Sequence, residues 1–343
     1  MPARSFSYQD KVLLLQHGST ELLALAQRRG ALLHKLLSGT NIFEQDLHRP
    51  HGRLHHADWL KLLQNCQQQV SSPELPFLLG DALLNSSYIS LCKSLQYARN
   101  LRQALTQLYY FRHQLFPGIF AKAYQTQQQL VIELHPALGF ANQHTFMLAT
   151  VFSLLVSLLK QQLGTLTGVT IRLQQDVPEN LLQQQFYWGC TVSFNQYCDS
   201  LSIPLPLCYQ TFTDADPVKF RAAKRTCLQL NRVLSPQRGL LECIYTLQQR
   251  ALPVLLTQQH VADALGLSGS SLKRQLRQHH TNFANLIDQV RRDAARKVLQ
   301  QGNCSNRQLA MMLGYSDEHN FRRAFKRWTG FIPSDYKSVF NFN

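Results

Sequence analysis

The chain has 343 residues, enough for two or three domains that each bury a core without disulfide or metal support. Lysine and arginine number 35 against 20 aspartate and glutamate, a formal net charge of +15 that suits a polyanionic partner such as nucleic acid. Eight cysteines without a CxxC pair argue against a disulfide-stapled secreted scaffold, and Met1 to Val12 lack the apolar run of a secretory signal, so reduced thiols and a cytoplasmic location are expected.

In chain order, helical periodicity is carried by Leu22, Leu25 and Ala26, then by Trp59, Leu60, Leu62 and Leu63, then by a segment after Pro73 and another from Leu101 to Phe116. Phe120–Tyr124 and Leu130–Leu134 flank a polar QTQQQ turn and predict a hairpin. The apolar run Phe146–Leu159 falls short of the about 20 residues a bilayer span needs and predicts a buried core helix, with no membrane involved. Alternation at Val169, Ile171 and Leu173 and again at Thr191–Phe194, with a short helix after Pro178 between them, completes a region without βαβ rhythm. An α+β domain over 1–217 is therefore expected, followed by a basic helical linker over 218–235 and an all-α domain over 236–343. The last 109 residues, from Ser235, hold 15 of the basic and 7 of the acidic residues, about twice the density of positive excess upstream.

Two segments in the C-terminal part are alike: VADALGLSGSSLKRQLRQHH from Val261 and LAMMLGYSDEHNFRRAFKRW from Leu309. Each reads as helix, glycine-containing turn, helix, the pattern of a helix-turn-helix. Val261, Ala262 and Leu265 form an apolar stripe, Gly266 suits a positive φ, and Ser268 is placed to cap the next helix; Leu309, Ala310, Leu313, Gly314 and Ser316 take the same parts. In the second copy Phe321, Ala324, Phe325 and Trp328 face inward, leaving Glu318, His319, Arg322, Arg323 and Lys326 outward. In the first, Leu272 and Leu276 face inward and Ser270, Lys273, Arg274 and Arg277 outward. Arginine and lysine there suit guanine edges or phosphates, and Glu318 suits a cytosine amino group. The connector reads as one helix from Phe283 to Gln301 ended by Gly302, about 28 Å at 1.5 Å per residue, near the ~34 Å between successive major grooves on one DNA face.

Over Ser235 to Val339 the sequence resembles the AraC/XylS family of transcription regulators. The match rests on Ala262, Leu265, Gly266, Ser268, Leu272, Arg274, Phe283, Arg291, Ala295 and Leu299, then on Ala310, Leu313, Gly314, Tyr315, Ser316, Phe321, Arg323, Ala324, Phe325, Lys326, Gly330, Pro333 and Tyr336. The resemblance implies a helical domain whose helices near Gly269–His279 and Asp317–Trp328 enter the major groove of promoter DNA, activation more than repression, and RNA polymerase as a further partner. His280 stands where the family usually has glycine. From Leu32 to Pro217 the chain is similar to the sensory domain of the ornithine-utilisation-regulator branch, through Leu101, Phe186, Gly189-Cys190, Val192, Phe194, Ile203-Pro204-Leu205 and Asp216-Pro217; Tyr197-Cys198-Asp199-Ser200 departs from it.

That similarity implies a domain that binds a small-molecule effector, pairs subunits as a homodimer, or both. Tyr110, with Tyr109, Phe111, Phe116 and Phe120, is a candidate lining for an apolar effector pocket, with Arg112 or His113 fixing a polar head group; an ordinary core is the plainer reading. His48, His51, His55 and His56 would suit a divalent metal if helical, but Pro50 and Gly52 point to an exposed loop. Cys190, Cys198 and Cys208 suggest thiol chemistry, and a metal- or thiol-responsive regulator is a less favoured alternative, but the paired zinc-cysteine spacing that an alkyl-accepting cysteine module needs is missing. No nucleophile elbow, phosphate-binding glycine loop or HExxH motif is present, so an enzyme is not expected, nor any cofactor. A sequence-indifferent architectural DNA-binding protein is the alternative that the separated helix faces argue against.

Overall fold

A computed structural model describes residues 5–8, 10–49, 52–178, 181–234, 237–300 and 304–335. The chain divides into two compact units, one of Phe6–Gln237 and one of Met1–Ser5 with Arg238–Asn343.

The first unit is α+β. Its helices are α1 (Thr20–Arg28), α2 (Leu33–Leu36), α3 (His56–Val70), α4 (Leu75–Asn85), α5 (Ser90–Gln96), α6 (Leu101–Phe111), α7 (His144–Leu163), α8 (Leu181–Trp188), α9 (Leu205–Tyr209) and α10 (Pro217–Leu234). Five strands form one mixed sheet in the order Ile119–Gln125, Gln129–Pro136, Ser200–Pro204, Thr170–Arg172, Thr191–Ser193, with only the last pair parallel. The predicted hairpin pairs Ile119 with Pro136 and Gln125 with Leu130. Ser200–Pro204 lies in the middle of this sheet and buries Leu201 and Ile203.

The core helix is α7. With the turn before it, Ala141–Leu163 is long and apolar enough to cross a membrane, so the shortness expected from Phe146–Leu159 does not hold; 78% of its most apolar stretch is instead buried inside the unit. On α4, Gly80 lets the two backbones touch, since a Cβ there would sit 2.5 Å from the Thr150 carbonyl oxygen. The indole of Trp188 on α8 donates to Ser153 Oγ on α7 at 2.8 Å.

Two other segments differ from the sequence reading. The helix predicted over 101–116 stops at Phe111, and a 3-10 turn Arg112–Gln114 carries Gln114 inward, where its amide donates to the Cys227 carbonyl (2.7 Å) and Asn231 Oδ1 (2.8 Å) of α10. In the histidine-rich segment Arg53–His55 is a strand paired with Lys11–Leu14, and His56 opens α3 fully buried, donating from Nε2 to the Gly139 carbonyl at 2.8 Å, whereas residue 50, on which the expected loop turns, lies outside the described residues. Residue 51 and the side chain at 48 lie outside the described residues. Helix α10, where the sequence places the linker, starts on Asp216, whose carboxylate accepts from the amides of Val218 and Lys219, and it buries Phe220 and Cys227 in the first unit.

Apart from the two-residue strand Arg238–Gly239, the second unit is helical: α11 (Leu240–Ala251), α12 (Gln258–Ala264), α13 (Gly269–Gln278), α14 (Phe283–Gln300), α15 (Asn306–Met312) and α16 (Glu318–Thr329). Leu240, Leu241 and Ile244 of α11 pack with Val261, Ala262, Leu265, Leu272, Leu276 and Leu286 in one apolar cluster.

Candidate nucleic-acid interface

In the first helix-turn-helix, Thr257 caps α12 by accepting from the His260 amide, Gly266 turns the chain with φ +70, and Ser268 caps α13 by accepting from the Ser271 amide at 3.1 Å. Leu272 and Leu276 are buried, which fixes the phase of α13. Ser270, Lys273, Arg274 and Arg277 all fall on its exposed face and, with Gln278, line one open depression. Three cations and a hydroxyl on one convex helix are a combination that meets phosphates and base edges together.

The second copy opens with a capping box, Ser305 and Gln308 each bonding the other's backbone amide at 3.2 and 3.0 Å. Gly314 turns with φ +74. Here the cap differs from the sequence reading: Asp317, not Ser316, accepts from the Asn320 amide at 2.7 Å, because the second turn is one residue longer between glycine and the first buried aromatic. That amide bond also holds the Asp317 carboxyl below its ordinary pKa. Phe321, Ala324 and Phe325 are buried and Trp328 half-buried, so His319, Arg322, Arg323 and Lys326 are exposed. Glu318 lies 4.0 Å from Arg322, and Arg323 donates to Asn320 Oδ1 at 2.8 Å. Helix α14 connects the copies with 18 residues, about 27 Å of rise; the residues at 301–303, where the sequence ends this helix, lie outside the described residues, as does 336.

Three supports were not foreseen. Arg291 on α14 donates from Nε to the Leu313 carbonyl (3.0 Å) and from Nη2 to the Gly314 carbonyl (3.3 Å), fastening the second turn. Arg327 on α16 pairs with Asp288 on α14 at 2.7 Å. Tyr245 on α11 donates to the buried carboxylate of Asp293 at 3.0 Å. Charged residues on a basic helix read as solvent-facing in sequence; Arg291 is among the residues that carry the resemblance, but nothing in the spacing marks any of these three contacts.

The effector candidates do not share one environment. Tyr109 and Tyr110 are 55% and 65% exposed, Arg112 lies over the Tyr109 ring at 5.5 Å, and His113 meets the edge of Phe6. Phe111 and Phe120 are core residues, whereas Phe116 reaches a narrow cavity that Tyr110, Arg112 and His113 do not line. Burial pushes the thiols of Cys190 and Cys208 up to about 11, so both stay protonated at neutral pH. Among the described residues no group of three or more His, Cys, Asp or Glu is placed to hold a metal ion.

Residues 261–338 match the family profile of a helix-turn-helix domain, and residues 30–207 match that of the arabinose-binding domain of AraC transcription regulator, N-terminal. The chain is 27% identical over 329 residues to the ornithine utilization regulator of Pseudomonas aeruginosa, covering 93% of this chain and 94% of that one. It is 29% identical over 151 residues to the HTH-type transcriptional regulator VirS of Mycobacterium tuberculosis, 44% of each chain. Among solved structures it is similar to the transcriptional regulator CdpR from Pseudomonas aeruginosa, at 22% identity and a TM-score of 0.41 over 81% of this chain and 90% of that one.

Proposed function

The chain belongs to the AraC family of DNA-binding transcription regulators, and from that premise we propose that it reads a specific promoter sequence with α13 and α16 and answers to a small-molecule effector held in its first unit. The observation that carries this reading is the phase of the two helices: each is capped, buries an apolar face, and leaves its cations on the opposite face. Positive charge alone would bind any DNA; two faces fixed in phase favour a chosen sequence.

The finer parts of the proposal are activation through contact with RNA polymerase, action as a homodimer, and a cytoplasmic location. Family habit supports the first two, and the free cysteines, six of them buried, agree with the third. The name of the Pseudomonas relative ties that protein to ornithine utilization, and the effector of this chain is left to experiment.

Selection of genomic fragments bound by the purified full-length protein at near-physiological salt tests the reading. The expected outcome is enrichment of a motif with two half-elements about one helical turn apart. Uniform, steeply salt-sensitive binding with and without cell metabolite extract would overturn it in favour of an architectural role.

A further inference from the structure

The first unit holds a narrow cavity of about 20 Å³ among its helices, walled by Leu79, Phe116, Phe140 and Met147 and reached by His56 and Trp59. None of its lining residues is Lys, Arg, Asp or Glu. Nδ1 of His56 and Nε1 of Trp59 are buried and have no hydrogen-bond partner among the described residues, on residues only 1% and 5% exposed. Two orphaned polar atoms beside one cavity in an apolar core are uncommon, because each forfeits its bond to water.

Their roles are fixed by what surrounds them. A carbonyl oxygen only accepts, so His56 Nε2 carries the proton donated to Gly139 and Nδ1 presents a lone pair. Burial holds the ring neutral, its pKa lowered to about 4. The Trp59 nitrogen is a donor only. His56 and Trp59 thus present one acceptor and one donor to the cavity, alongside His17 and Thr150, and a single hydroxyl group satisfies that pair. A carboxylate or ammonium would find no Lys, Arg, Asp or Glu in the lining to pair with.

We propose that this cavity is the effector site and takes a small, uncharged, mainly apolar molecule whose hydroxyl donates to His56 Nδ1 and accepts from Trp59 Nε1. The proposal rests on reading the first unit as effector-binding. At its present size the cavity seats about one water molecule, so the hydroxyl end fits and the apolar body must displace the side chains that close it. Displacement there has a path outward. His17, also lining the cavity, donates to the Gln114 carbonyl, and the Gln114 amide holds α10, whose chain leads into the second unit at Arg238.

The test uses the full-length protein, with benzyl alcohol, toluene, benzoate and L-ornithine as probes, binding being followed by saturation-transfer NMR and by melting temperature. Benzyl alcohol should bind saturably and about tenfold more tightly than toluene or benzoate, the worth of one to two hydrogen bonds. Trp59→Phe, which deletes the N–H together with the pyrrole part of the indole, should cut the preference for benzyl alcohol over toluene about tenfold, toluene reporting the effect of the lost ring volume alone. Preference for benzoate or ornithine, indifference to Trp59→Phe, or no binding by any probe, the cavity then holding only water, would each overturn the assignment. Sequence-specific DNA binding measured on the same preparation is unaffected by such a failure, so the loss of the cavity and the loss of the regulator reading are told apart.

Discussion

The guanidinium of Arg291 lies 4.3 Å from the centre of the Tyr315 ring while it donates to the two carbonyls just before that tyrosine. One side chain of α14 thereby fixes both the backbone and the aromatic anchor of the second turn, and so the angle at which α16 leaves it. Arg291→Ala should cost about 2 kcal/mol of stability, from charge-assisted hydrogen bonds and the stacked ring together. In a DNase footprint the half-element read by α16 should lose protection before the half read by α13. Equal weakening of both halves would mean that Arg291 supports the whole unit rather than one turn.

Gly314 and Gly330 both have positive φ, +74 and +77, yet only one is crowded. A Cβ on Gly314 would sit 2.1 Å from the Pro253 carbonyl oxygen, whereas nothing lies within 4 Å of one on Gly330. Gly330→Ala should cost about 1 kcal/mol, the backbone strain alone. Gly314→Ala adds a clash against backbone that cannot swing away, and should exceed about 4 kcal/mol or leave the second unit unfolded. Urea titration of each variant checks the ratio; similar midpoints would contradict the steric account.

Helices α13 and α16 were legible because a 3.6-residue period occurring twice, each time after a glycine turn, leaves little freedom in which side faces inward. The cap of α16 was misread by one position since the copies differ by a residue: Gly266 precedes the buried Leu272 by six positions, Gly314 precedes Phe321 by seven. Non-local features left no such trace. Ser200–Pro204 is a strand because it fills the gap between Gln129–Pro136 and Thr170–Arg172. His56 is buried by α7-side residues such as Phe140 more than 80 positions away, which no local pattern reports. Tyr110 illustrates the reverse error, an aromatic cluster in sequence that the helix splits between surface and core.

His280 follows α13 with φ +55, in the left-handed conformation. Its amide bonds the Arg277 carbonyl and that of Thr281 bonds the Leu276 carbonyl, the pairing in which helices usually place glycine at this position. The departure noted in the sequence is thus tolerated by strain, with the chain path unchanged. The His280 side chain is exposed, so His280→Gly gives up no buried contact and should raise stability by about 0.5 to 1 kcal/mol in thermal unfolding. A lower melting temperature would show that the imidazole contributes more than its backbone costs.

On the reading faces, Arg274 and Glu318 should act in opposite ways. Arg274 shares an open depression with Lys273 and Arg277, so Arg274→Ala should cost about 1 to 3 kcal/mol at the preferred site and less on other DNA if it reaches a base edge. Glu318 carries negative charge toward a polyanion, partly balanced by Arg322 at 4.0 Å. Glu318→Ala should tighten binding to unrelated DNA while lowering the ratio of specific to unrelated affinity. Competition binding at two salt concentrations separates these outcomes, and a loss at Arg274 that is uniform over all sequences would reassign it to phosphate contact.

The buried imidazole of His56 makes the first unit sensitive to acid. Its pKa is about 4 in the folded chain against 6.5 for the ordinary group, chiefly because burial penalises the charged ring. Between these values the unfolded chain binds more protons than the folded one, so this group makes stability rise with pH from about 4 to about 6.5 and adds nothing further above that. The full span corresponds to about 3 kcal/mol, lost as the medium is acidified through that window. His56→Gln keeps a donor for the Gly139 carbonyl and removes the titration. Urea midpoints followed from pH 7 down to about 4.5 should fall more steeply for the wild-type chain than for His56→Gln, and parallel curves would show that acid acts through other groups.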